Sequence, residues 1–323
     1  MEFRTTVSVD PFEQKISYNS KVLFLGSCFA TNMGDRMGNL LFPSLINPFG
    51  VLYNPFSISQ SLNVLMANNL FSEEQLFNQG GLWGSFYHHS SFSSPSKEEC
   101  LTNINQSLAT GREFLKDIDF LVITLGTSWT YQYRKTRTVV ANCHKFPAKD
   151  FDRIPMTEDE IMQMLAVAII KLREKNPKLK VIFTISPIRH WKDGAVNNMV
   201  SKATLIMAAQ KMCLSLHDCY YFPAFEIMMD DLRDYRFYAE DMIHPSSVAV
   251  DYIFEKFVGA AIDSETAKLI PEVERLIQAA NHRPFNPDTT EHLQFKKTQR
   301  HKTMELQKRF PLLNLSVLLE QFQ

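Results

Sequence analysis

No cysteine in this sequence belongs to a Cys-x-x-Cys pair: the five, Cys28, Cys100, Cys143, Cys213 and Cys219, are odd in number and widely spaced. That pattern indicates neither a disulfide framework nor a zinc site, and it fits a reducing compartment. Charge of one sign is missing too. Lys plus Arg number 34 against 35 Asp plus Glu, a formal charge of -1, which leaves no strong field for a phosphate backbone or an acidic membrane. Nucleic acid is therefore not an expected partner. No apolar run reaches spanning length, and MEFRTTVSVDPFEQK lacks a basic stretch followed by an apolar one, so the chain reads as cytoplasmic with no membrane partner. No Gly-x-x-x-x-Gly-Lys-Ser/Thr occurs and no Gly-x-Gly-x-x-Gly follows a strand, so a nucleotide cofactor would lack its phosphate cradle.

What is present is an ordinary globular composition, 45% hydrophobic and 21% charged over 323 residues, with no clear linker. That suits one large α/β domain with an appendage. Short β-rich runs alternate with long helix-patterned segments, the sign of a mostly parallel sheet covered by helices. The runs are Lys21 to Leu25, Asp117 to Leu125, Lys180 to Ile185 and Cys219 to Phe222. The second is almost continuously apolar (IDFLVITL), as expected of a strand buried on both faces. Helices are expected after the first run through about Leu41, then over Thr157 to Asn176, Asn197 to His217, Ser246 to Gly259 and Thr266 to Ala280. Residues 42–116 break the alternation, are rich in Pro, Asn, Gly and aromatics, and read as an elaborated cap. The expected division is a main domain over 1–262 and a helical extension over 263–323, which packs as an appendage or joins two copies in an oligomer. Within that extension, Lys296 to Arg309 is basic but contains Glu305 and reads as a solvated helix face.

A serine hydroxyl is a poor nucleophile at neutral pH and needs a base, an orienter for that base and donors for the developing oxyanion. Ser27 falls where the first strand gives way to a helix, so its side chain can face the crevice and its N–H can point at negative charge. Gly26 permits a tight turn there. Asp241 and His244, three residues apart, can share one side of a turn, with Asp241 fixing the tautomer of His244. Taken singly, each is an ordinary cap or turn. Their order is more telling: the serine follows the first strand, and the Asp-x-x-His pair precedes the domain's closing helix.

Gly26-Ser27-Cys28-Phe29-Ala30 resembles the signature that names the GSCFA family, itself similar to the SGNH hydrolase superfamily. Asn47 to Pro55 (NPFGVLYNP), Thr124 to Ser128 (TLGTS), Ser186 to His190 (SPIRH) and Asp241 to Pro245 (DMIHP) resemble the same family, together spanning roughly residues 20 to 250. The resemblance implies a three-layer α/β/α sandwich of SGNH or flavodoxin-like type. It implies Ser27 as nucleophile and oxyanion donor, Gly50 as a second donor through its N–H, and Asp241 with His244 completing the triad. One block departs: Gly126-Thr127-Ser128-Trp129 stands where SGNH enzymes carry Gly-x-Asn-Asp, so Thr127 or Ser128 would have to donate in place of the asparagine.

Cys28 competes with Ser27 as nucleophile, but neighbours at a helix start point in different directions, which turns Cys28 inward. His88 and His89 lie in a polar aromatic loop that can line a sugar-sized pocket; without carboxylate or cysteine partners at ligand spacing no metal is expected. Arg189 or His190, at a strand end, can bind a substrate carboxylate or hydroxyl. Asn198, a further candidate substrate contact, follows on the next helix with Ser201 and Lys202; the alternative is that Arg189 pairs with an acid and that Asn198 to Lys202 cap and solvate the helix. The expectation is an SGNH-type esterase that needs no cofactor and acts on an O-acyl, in particular O-acetyl, ester of a carbohydrate. Alternatives are an acyltransferase using the same triad and a catalytically weak carbohydrate-binding protein.

Overall fold

The computed structural model describes residues 4–323. Its first strand, β1 (Val22–Gly26), divides its side chains between two cores: Val22 and Phe24 join one apolar cluster, Leu23 and Leu25 the other. Successive residues of a strand point to opposite faces, so an apolar run of this kind needs cover on both. Helices α1 (Cys28–Asn39), α7 (Ser247–Ala261) and α8 (Ser264–Ala280) cover one face. Helices α2 (Pro55–Met66), α3 (Lys97–Leu115), α4 (Glu158–Lys175) and α5 (Gly194–Ser215) cover the other, and a single turn, α6 (Ala224–Glu226), precedes α7. The result is a three-layer α/β/α sandwich.

With β2 (Ser44–Ile46), β5 (Phe120–Leu125), β9 (Lys180–Ile185) and β10 (Cys219–Phe222), β1 forms a five-stranded sheet of order β10-β9-β5-β1-β2. Every neighbouring pair in it is parallel. The chain steps outward from β1 to β2 and then returns to β1's other side, so the order reverses between β1 and β5. Crevices in open α/β sheets form outside the strands' carboxyl ends at such a reversal. Gly26 and Gly126 end or follow the two strands that flank it.

Strand β9 and strand β10 have the expected limits, and α4 starts in a capping box between Thr157 and Glu160. Residues 42–116 differ from the expectation. Besides the small hairpin of β3 (Phe77–Gln79) and β4 (Leu82–Gly84), they contain β2, α2 and α3, which belong to the main layers. Strand β2 has only three residues, all half-buried, too few for a period to show. A second antiparallel sheet, β7 (Thr138–Val140), β6 (Trp129–Tyr133) and β8 (Phe151–Pro155), was also outside the sequence reading. The extension adds α9 (Thr290–Arg309) and α10 (Ser316–Gln321), and its Leu306, Leu313, Leu318 and Phe322 are buried in the cluster that contains Phe24 and Phe257. No helix among the described residues is long and apolar enough to cross a membrane.

Candidate active site

Ser27 caps the amino end of α1, its Oγ accepting from the Phe29 N–H at 3.3 Å. The turn before it admits only glycine: Gly26 has φ +138°, and a Cβ there would lie 2.1 Å from the Thr124 carbonyl oxygen. Asn47 pins the same turn, accepting from the Gly26 N–H at 2.8 Å while its amide donates to Thr31 Oγ1 at 3.0 Å. Gly126 packs against it, an added Cβ falling 3.5 Å from Ser27 Cβ. The serine and both glycine-marked strand ends thus meet at the reversal of the sheet. Ser27 is only 1% exposed.

Asp241 Oδ2 and His244 Nδ1 are 2.5 Å apart, and Asp241 Oδ1 accepts from the N–H groups of Ile243 and His244, each at 2.9 Å. Those bonds to the ionised form hold the Asp241 carboxyl down at about 2. With Nδ1 facing the carboxylate, Nε2 is the ring atom left to take a proton. Among the described residues Nε2 makes no hydrogen bond, and the side chains are 50% (His244) and 49% (Asp241) exposed. The structure brings Asp241 to His244 as expected; no hydrogen bond joins His244 to Ser27.

The expected oxyanion donors are corrected by their partners. The Ser27 N–H donates to Thr124 O at 3.1 Å and the Gly50 N–H to Asn47 O at 2.7 Å. Thr127 Oγ1 lies 3.2 Å from Ser201 Oγ, and Ser128 Oγ lies 3.1 Å from the same atom. Both residues are buried, and both hydroxyls are engaged with Ser201 in this arrangement.

Helix α5 supplies what the sequence reading placed on a solvated helix start. Asn198 is buried and its Oδ1 accepts from the His190 N–H at 2.8 Å, so it shapes the loop and does not face substrate. Lys202 is buried, and its Nζ donates to Gly126 O and Ser186 O, both at 2.7 Å, locking the ends of β5 and β9 together. Desolvation pushes its pKa down to about 7. A signal was available: 198, 201, 202, 205, 209 and 212 fall on one face at helical spacing, so the polar residues continue the buried stripe of Leu205, Ala209 and Met212.

His190 meets Tyr53 edge-on with centroids 5.4 Å apart, and burial lowers its pKa. Through the Tyr53 carbonyl, which accepts from the Gly126 and Thr127 N–H groups, this loop adjoins the Ser27 turn. An ion pair between Arg153 and the buried Asp193 holds the loop's far side. The cap histidine His88 does not contact a crevice as expected. His88 is buried, stacks on Phe49 at 4.8 Å and lies edge-on to Phe71 at 4.8 Å, its pKa driven down to about 3 by desolvation. His89, half-buried beside Gly50, spends Nδ1 on the Ser91 N–H at 3.2 Å. Cys28 packs against the α1 face of the core, and burial raises its thiol pKa, against a thiolate nucleophile. No group of three or more His, Cys, Asp or Glu among the described residues could hold a metal ion.

Beside the Asp241–His244 turn opens a cleft of about 460 Å³, whose walls include Arg189, Trp191, Met229, Tyr235, Tyr238 and Asp241.

No curated protein matches this sequence. Among solved structures, a carbohydrate esterase family 3 from Talaromyces cellulolyticus is 13% identical over 50% of this chain, with a TM-score of 0.26. The alignment spans 59% of that protein's chain, less than two thirds. A second solved chain is 12% identical over 76% of this chain and 97% of its own, with a TM-score of 0.38. Alignments this loose say nothing about chemistry. Sequence profiles are decisive: that of the GSCFA family matches residues 21–257, and that of the GSCFA domain protein C-terminal domain matches residues 273–323. With nearly three quarters of its length matched by the first profile, and with Ser27 of the GSCFA pentapeptide at the sheet's reversal, the chain belongs to the GSCFA family.

Proposed function

We propose that this protein is a serine ester hydrolase of SGNH type, acting on an O-acyl, in particular O-acetyl, ester of a carbohydrate. The observation that carries the reading is the Asp241–His244 pair, bonded at 2.5 Å with Nε2 left free, in a chain whose Ser27 stands at the sheet's reversal. In this reading Ser27 Oγ attacks the ester carbonyl and His244 Nε2 takes its proton. The tetrahedral intermediate collapses, His244 returns the proton to the leaving alcohol, and water repeats the sequence on the acyl-enzyme. Asp241, kept ionised by its three hydrogen bonds, stabilises the imidazolium.

Ser27 is 1% exposed and its N–H, like that of Gly50, is bonded to a carbonyl. The reading therefore includes a step in which substrate opens this turn and His244 closes on Ser27, since catalytic hydrogen bonds often tighten only in the complex. Oxyanion donors are freed in that step; until then the positive end of α1 stands beside Ser27. The same burial favours one second reading, a carbohydrate-binding protein with little catalysis.

Hydrolysis of para-nitrophenyl acetate by wild type, Ser27→Ala and His244→Ala separates them. Loss in both variants is expected; equal rates in all three remove the triad. Labelling with a fluorophosphonate is expected to modify Ser27, and a native protein without that adduct is the binding protein.

A further inference from the structure

The cleft beside the Asp241–His244 turn is unevenly neutralised. Its acids have partners: Asp234 bonds Arg236 at 2.9 Å, and Asp241 bonds His244 at 2.5 Å. Arg233, also on its wall, reaches Asp230 at 3.7 Å. Arg189 has no acidic partner among the described residues. Its Nε is buried with no acceptor, and its one polar contact is Nη2 on the Met229 thioether at 3.1 Å. A thioether is a weak acceptor, and a buried Nε–H left without an acceptor is costly. The donor fork of arginine matches a carboxylate with two parallel hydrogen bonds.

The rest of the wall suits a sugar. Trp191 is 55% and Tyr235 74% exposed, large apolar faces left to solvent where the cleft opens. Each offers a flat surface to the C–H face of a pyranose and a polar edge to its hydroxyls. The volume, about 460 Å³, lies in the usual range for a small-ligand site.

We infer that this cleft binds an acidic sugar, its carboxylate held by Arg189 and its ring against Trp191 and Tyr235. The proposal rests on the esterase reading for its place in a reaction, naming the acyl-bearing substrate as a uronic-acid glycan. The binding itself needs no catalysis.

The test is calorimetric titration with unacetylated trigalacturonate and with uncharged maltotriose, on wild type and on Ser27→Ala, Arg189→Gln and Arg189→Lys. Wild type and Ser27→Ala are expected to bind trigalacturonate at least tenfold more tightly than maltotriose. Arg189→Gln loses that preference, and Arg189→Lys, which keeps the charge, retains part of it. Equal affinity for the two sugars in wild type, or an undiminished preference in Arg189→Gln, overturns the proposal. Glucose 6-phosphate and glucuronate form the second arm, and tighter binding of the phosphate overturns the carboxylate assignment. Ser27→Ala keeps the two readings apart: acidic-sugar binding with no ester hydrolysis by wild type defeats the esterase alone, and hydrolysis with no acidic preference defeats this inference alone.

Discussion

Lys202 Nζ donates to the carbonyl oxygen of Gly126 at 2.7 Å, and Gly126 is the residue that packs against Ser27. One side chain from α5 thus sits one carbonyl removed from the proposed nucleophile. Its second bond, to Ser186 O at 2.7 Å, fixes the adjacent strand end. Lys202→Met fills similar space but leaves both buried carbonyls without this donor, at about 1–3 kcal/mol each, while sparing the desolvation of an ammonium. A net loss of about 2 kcal/mol is expected in urea unfolding. An unchanged midpoint would show that the two bonds contribute nothing.

Asn47 has φ +45° and accepts from the Gly26 N–H. Asn47→Ala removes the side-chain bonds to Gly26 and Thr31 and places alanine in the left-handed region; Asn47→Gly removes only the bonds. Both should lose about 1–3 kcal/mol of stability, with alanine about 1 kcal/mol worse, and both should slow ester hydrolysis by loosening the Ser27 turn. Glycine and alanine variants of equal stability would sink the argument from backbone conformation.

Asp241→Asn leaves an oxygen for the Ile243 and His244 N–H groups but presents no anion to Nδ1. By the logic of a serine triad, kcat should fall by about 10⁴-fold. The side chain is exposed, so the melting temperature should not move. A wild-type rate in this variant would take Asp241 out of the reaction.

His88 is the natural probe of pH-dependent stability. Burial holds its folded pKa near 3, below the ordinary value of 6.5. Between those values the unfolded chain binds more protons than the folded one, so this residue makes stability fall as pH drops from about 6.5 towards 3. His88→Phe keeps an aromatic ring among Phe49, Phe71 and Phe92 and removes the titrating group. Relative to wild type, it should gain stability progressively on acidification, measured as urea midpoints at pH 7 and pH 5, with ester hydrolysis at pH 7 unchanged. A constant difference between the two pH values would contradict the burial effect.

The sandwich could be read from the chain because its strands carry their cover with them: IDFLVITL tolerates no wet face, and α4 announces its start with Thr157 and Glu160. The place of Ser27 at the end of the first strand is legible in the sequence alone. What escaped was set by partners distant in sequence. Lysine defaults to the surface; the helical stripe of α5 marks Lys202 as buried, but its partners are carbonyls 76 and 16 residues away. Thr127 and Ser128 looked free until Ser201 took their hydroxyls. His88 looked polar until Phe49 and Phe71 closed around it.

Phe24, in the strand that leads to Ser27, shares its core with Leu313, Leu318 and Phe322. A ribosome adding about 5–20 residues per second reaches position 322 roughly 15 to 60 s after it has made that strand. Throughout that interval one face of the sheet lacks part of its apolar cover. Truncations before Leu313 should therefore aggregate rather than fold.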